Sequence, residues 1–163
     1  MAKTNYFDIL ERMCDIVRQS FSCVGTTKKQ LLSMREESLE LTLLLESALL
    51  RDFLPPLERE SIAELAYALC RTVDVSVAHF GTIQNTTERK YFLSLASNIA
   101  DCIKLLPNMA KLSPLPYIKS FHELQAKFSF NTQSALKMSA AFETYTALCC
   151  AFNTLTKIIF QSI

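Results

Sequence analysis

Two glycines and five prolines in 163 residues leave this chain few places to reverse direction. Short strands joined by tight turns need such residues every eight to twelve positions, so the scarcity argues against a β-sandwich or barrel and for long helices. Half of the residues are hydrophobic and the mean hydropathy is +0.17, too apolar for a disordered chain. A mass of 18.5 kDa fits one domain that buries roughly two thirds of its unfolded surface, enough for a core without staples. The glycine shortage also excludes phosphate cradles: neither Gly-x-Gly-x-x-Gly nor Gly-x-x-x-x-Gly-Lys-Ser/Thr occurs.

Apolar spacing of three and four predicts six helices. The first runs from about Asn5 to Phe21, with Phe7, Leu10, Cys14, Val17 and Phe21 on one side. Gly25 ends the connection, and Thr26 or Thr27 caps a second helix from about Lys28 to Phe53. Between Leu39 and Leu50 that helix is apolar nearly all round, which predicts a place in the middle of a bundle. Leu54-Pro55-Pro56 stops it. A third helix starts near Leu57, with Glu58 and Glu60 favoured by the helix dipole. Its stripe is Ile62, Leu65, Leu69, Val73, Ser76 and Phe80, and Gly81 suits its C′ position. Thr86 or Thr87 caps a fourth helix, about Glu88 to Leu106, ended by Pro107. Pro114 and Pro116 mark the next connection. A fifth helix runs from about Tyr117 toward Lys127, and a sixth from about Gln133 to Phe160, with Tyr145, Leu148, Phe152, Leu155 and Ile159 inward. Asn131-Thr132 either separates these two or lies within one long helix.

Seventeen basic and sixteen acidic residues are too balanced for a dedicated nucleic-acid binder. The halves differ: residues 1–80 carry nine basic and twelve acidic residues, net −3, whereas residues 81–163 carry eight and four, net +4. Cysteines stand at 14, 23, 70, 102, 149 and 150 without Cys-x-x-Cys or finger spacing. The first residues contain no apolar signal segment, and no uncharged run reaches the roughly 18 residues of a spanning helix. These features predict a soluble cytoplasmic protein with reduced thiols, most of them packed as small core residues.

Glu64-x-x-x-Ala68-Leu69-Cys70-x-x-Val73-Asp74 matches Glu143-x-x-x-Ala147-Leu148-Cys149-x-x-Phe152-Asn153 at an offset of 79 residues, which points to a duplicated unit. Cys70 and Asp74 share one helix face, as do Cys149 and Asn153. Two thiols and a carboxylate could hold a soft metal; half-buried positions between core and surface are the plainer reading. The two histidines, His79 and His122, lack the Glu-x-x-His and His-Glu-x-x-His spacings and read as solvated helix-end residues. No Gly-x-Ser-x-Gly elbow occurs. Phe121, Phe128 and Phe130 with Lys119 and Lys127 read as an amphipathic helix with wet lysines rather than a stacking platform for nucleic acid.

Phe53-Leu54-Pro55-Pro56-Leu57-Glu58-Arg59-Glu60-Ser61-Ile62 resembles the Phe-x-Thr-Pro-x-Asp-Arg-Glu-Asp-Ile signature of the short PhoU-like phosphate transport regulators. Tyr6-Phe7-Asp8-Ile9-Leu10-Glu11 is similar to that family's first helix, and Glu143-Thr144-Tyr145-x-x-Leu148 to its last. The resemblance implies an all-α fold of six helices: one domain over residues 1–163, built from two repeated antiparallel three-helix halves, roughly 1–81 and 82–163. The family holds metal clusters with Glu/Asp-x-x-x-Asp pairs. The matching positions here are Arg35 and Leu39, Cys70 and Asp74, Gln125 and Ser129, and Cys149 and Asn153. Only Asp74 is a carboxylate. A multinuclear cluster of hard cations needs several carboxylate oxygens, so no metal and no other cofactor is expected, and Cys70, Asp74, Cys149 and Asn153 are remnant positions.

The expectation is therefore a non-catalytic regulatory or adapter protein. By resemblance its partner is an inorganic phosphate permease, or a signalling protein at the inner membrane face, to which the chain is peripheral; a homo-oligomer is compatible with this. The alternatives are a metal- or redox-sensing module using Cys70 and Cys149, and a structural helical dimer without ligand.

Overall fold

The computed structural model describes residues 5–22, 27–52, 55, 57–83, 86–128 and 134–162. Among them are six α-helices and one 3-10 turn, with no strand. They are α1 (Tyr6–Ser22), α2 (Lys28–Arg51), α3 (Arg59–Ala78), α4 (Thr86–Leu105), the 3-10 turn Leu106–Asn108, α5 (Leu115–Ala126) and α6 (Ala135–Ser162). The expected all-α class holds.

Local chemistry sets the ends. Asn5 Oδ1 accepts from the backbone N–H groups of Phe7 and Asp8, at 3.1 and 3.2 Å, and so caps α1. Thr27 caps α2 through a full capping box: its hydroxyl accepts from Gln30 N–H at 3.2 Å, and Gln30 Oε1 accepts from Thr27 N–H at 2.9 Å. Helix α2 ends at Arg51, two residues short of the expected Phe53. The Arg59 guanidinium takes the carbonyls of Leu49 and Asp52 there, satisfying acceptors that the helix leaves open. Tyr6 Oη donates to the Asp52 carboxylate at the same corner.

Other boundaries differ from expectation. Helix α3 stops at Ala78 with His79 as its cap, so Gly81 lies beyond the C′ position; turn bonds from Thr82 and Ile83 N–H to His79 O carry the chain onward. Thr86 and Thr87 lie inside α4 rather than ahead of it. Pro107 ends α4 by tightening it into the 3-10 turn. Pro114 and Pro116 belong to the start of α5, where a missing N–H costs nothing. Helices α5 and α6 are separate, and Lys127 caps the former. Asn131 and Thr132, like Cys23, Gly25, Phe53, Ser129 and Phe130, lie outside the described residues.

One continuous core joins all six helices. Helix α1 packs along α4 and α3, α3 along α6, α2 against α1 and α3, and α4 against α5 and α6. Helices α3 and α6 run antiparallel, since Ser61 meets Gln161 and His79 meets Glu143. Phe121 of α5 stacks on Phe152 of α6 with centroids 3.7 Å apart, and Phe128 stacks on Tyr145 at 3.9 Å. The expected inward side chains of α1, α3 and α6 are buried, except that Phe7, Phe80 and Tyr145 are half-buried.

Helix α2 departs from its expected central place. It lies on the outside, and apolar side chains stand on both of its faces. The side facing the core is Leu31, Ser38, Thr42, Leu45, Ala48 and Leu49, with Thr42 donating to Ser38 O at 2.9 Å. The side facing water carries Leu32, Leu39, Leu43, Leu44 and Leu50. Small hydroxyl residues let α2 sit close to its neighbours, while five of its leucines stay exposed on the outside.

Candidate interaction surface

The leucines of α2 define the main candidate surface. Leu32, Leu39, Leu43 and Leu44 are 44–53% exposed and Leu50 is 88% exposed. Leu32, Leu39, Leu43 and Leu50 follow one another at intervals of seven, four and seven residues, which aligns them in one row along the helix. Isolated exposed leucines are ordinary, but several aligned along one helix mark a candidate contact face.

Two shallow grooves flank the row on its α3 side. One, of about 320 Å³, is lined by Leu32, Arg35, Glu36, Leu39, Cys70 and Asp74. The other, of about 440 Å³, includes Leu43, Glu46, Leu50, Arg59 and Ala63. Polar links tie this edge of α2 to α3: Arg35 Nε donates to Asp74 Oδ1 at 3.1 Å, and Tyr67 Oη donates to Glu46. The Glu46 bond, followed by burial, raises the Tyr67 phenol above its ordinary value.

The positions matched to the family's ligand pairs fall into two groups. Arg35, Leu39, Cys70 and Asp74 share the first groove, and Arg35 fills the acidic end with its own positive charge. On the other side, Gln125 Nε2 donates to Cys149 Sγ at 3.2 Å, and Asn153 is exposed one turn further along α6. Among the described residues, no three His, Cys, Asp or Glu side chains gather as a metal would require. Cys14, Cys70, Cys102, Cys149 and Cys150 are all free thiols. Burial pushes the Cys14 and Cys102 thiols up to about 12, so neither is a nucleophile near neutrality.

His79 is not the solvated residue its position suggested. Its Nε2 lies 2.7 Å from Glu143 Oε2 across the α3–α6 contact, and Arg71 reaches the other oxygen at 3.3 Å. At the far end of the same contact, Lys157 of α6 lies 3.9 Å from Glu64 of α3. The repeat-matched pair Glu64 and Glu143 thus each reach across to the opposite helix. His122 is exposed, as expected, with Nδ1 2.9 Å from Gln125 Oε1. Phe121 is fully buried while Lys119 and Lys127 are exposed, the amphipathic arrangement anticipated for α5.

A second apolar group stands at the start of α6, where Leu136, Met138 and Phe142 are exposed. Residues 134–139 are all on the outside. Sequence reasoning missed both surfaces, although the seven–four–seven spacing of the α2 leucines was there to be read. No helix of the described residues is long and apolar enough to cross a membrane. No protein-family model matches the chain, and neither a curated protein nor a solved structure does.

Proposed function

We propose that this chain is a non-catalytic regulatory or adapter protein that works through protein contacts. The observation that carries the reading is the second apolar face of α2: five leucines outside, on a helix that gives two of its buried positions to Ser38 and Thr42. Leaving that much apolar area in water opposes solubility, and burying the hydroxyls forgoes core area, so the pattern makes physical sense when the leucines meet another surface. The exposed start of α6 offers a second such surface.

The resemblance to the short PhoU-like regulators supplies the class of partner: an inorganic phosphate permease, or a signalling protein at the inner membrane face, with this chain peripheral to it on the cytoplasmic side. Two further observations favour that family's duplicated plan. Helix α1 pairs with α4 and α3 with α6, the pairings a twofold repeat of three helices produces, and Glu64 and Glu143 occupy matching roles. The Arg35–Asp74 pair favours a member that has given up the cluster, since a guanidinium occupies the place of a ligand.

Capture from native membranes in gentle detergent tests the proposal. A phosphate permease or an associated signalling protein should co-purify reproducibly with the tagged full chain. Repeated recovery of the chain alone, from membranes that contain such a permease, contradicts it.

A further inference from the structure

The leucine row on α2 reads the same from either end. Leu32 and Leu50 are each nine residues from position 41, Leu39 and Leu43 each two, and Glu36 and Glu46 each five. A helix reversed about position 41 therefore presents an equivalent row. In an antiparallel pair, Leu32 of one copy stands level with Leu50 of the other, and Leu39 with Leu43. This is the self-complementarity that a twofold interface demands, where residue i meets residue j and j meets i.

Charge follows the same symmetry. Arg35 and Glu46 both lie on the α3 edge of the row, because each bonds to an α3 side chain, Asp74 and Tyr67 respectively. A twofold axis between two antiparallel helices places like edges side by side. Arg35 of one copy then comes within one residue of level with Glu46 of the other, a stagger of about 1.5 Å. The contact forms twice, opposite charges meeting each time. Glu36, which also lines the first groove, is set about 100° round the helix from Arg35, so Arg35 rather than Glu36 shares the Glu46 edge.

We propose that the outer face of α2 binds a second copy of this chain, α2 against α2 in antiparallel register about residue 41. The inference rests on the reading of that face as a contact surface, and it leaves the start of α6 for the membrane-associated partner. The product is a symmetric dimer that presents each partner-binding surface twice.

Sedimentation equilibrium on the full chain over a concentration series tests it. The expected result is a monomer–dimer equilibrium with a micromolar dissociation constant. Leu39→Glu with Leu43→Glu should weaken it at least about 100-fold with the helical circular dichroism unchanged, since both side chains are already half exposed. Arg35→Glu alone and Glu46→Arg alone should each weaken the dimer, and the double exchange should restore it; that rescue reads the register, because in any other pairing the exchanged charges do not meet. A monomer at every concentration overturns the proposal, as does a dimer indifferent to the leucine exchange. Loss of the dimer through the leucines without rescue by the charge exchange overturns the antiparallel register. A monomer that still captures its membrane partner refutes the dimer and spares the adapter reading; a dimer of the expected kind that captures nothing does the reverse.

Discussion

Arg35 donates to Asp74 at 3.1 Å, joining α2 to α3 at the place where the resemblance sets two carboxylates around a metal. Both side chains are about half exposed, so the pair itself contributes little stability, roughly 0–1 kcal/mol. Its consequence is chemical: a fixed positive charge lies where a cation would have to sit. Restoring the acids should reverse this. The triple exchange Arg35→Glu, Leu39→Asp and Cys70→Glu, with Asp74 kept, is expected to take up manganese or iron in a calorimetric titration. Each single exchange should give no measurable uptake. A triple variant that stays folded and binds nothing would detach these positions from the family's ligand pairs.

Burial separates what the fold needs from what the surface needs. Phe152 is 1% exposed and stacks on Phe121, so Phe152→Ala should cost about 3–5 kcal/mol by urea unfolding. Leu43→Ser and Leu50→Ser, on the outer row, should each change monomer stability by no more than about 0.5 kcal/mol in dilute solution. A large loss from either serine variant would mean that the row is packed inside the chain.

The fold was largely legible and the surface largely was not, for one physical reason. Three- and four-residue spacing reports that a helix has an apolar side, and it located all six helices to within a few residues. It does not report what that side touches. Along α2, Leu39–Leu50 is apolar nearly all round, which suits a central helix and also a peripheral one with a second contact face. Thr42 and Ser38 settled the matter only once the neighbours were in place, because two small hydroxyls fit a close helix contact that no periodicity announces. The same limit explains His79: its partner Glu143 is 64 residues away and meets it only through the antiparallel packing of α3 and α6. The pairing of Arg35 with Asp74, by contrast, was accessible, since both positions stood out once the chain was set against the family's ligand pattern.

Alkali should weaken the fold. The Tyr6 phenol is raised to about 12, chiefly by burial and then by its bond to Asp52; burial raises Cys14 and Cys102 to about 12 as well. These groups are held in their neutral forms by the fold, so their stabilisation is complete below their ordinary values of 9.0–10.0 and is lost as pH climbs from there toward 12. The urea midpoint should be independent of these groups at neutral pH and decline from about pH 9 upward. A midpoint unchanged up to pH 11.5, or so, would contradict the assignment.

Thiol reactivity should follow the same map. Cys150 is exposed, whereas Cys14 and Cys102 are buried with raised thiols. Iodoacetamide at pH 8, followed by peptide mass spectrometry, should label Cys150 promptly and reach Cys14 and Cys102 only in denaturant. Equal labelling of all three in the native chain would place Cys14 and Cys102 outside the core.

The central claim is that the chain acts through its surfaces on a closed bundle that holds no metal cluster. Elemental analysis of protein purified without chelators or a metal-affinity tag tests it most directly. The account predicts less than about a tenth of an equivalent of iron, manganese or zinc per chain, because Arg35, Leu39 and Cys70 supply no hard oxygen ligand. About one or two equivalents per chain, retained through dialysis, would contradict it and return metal chemistry to the centre of this protein's function.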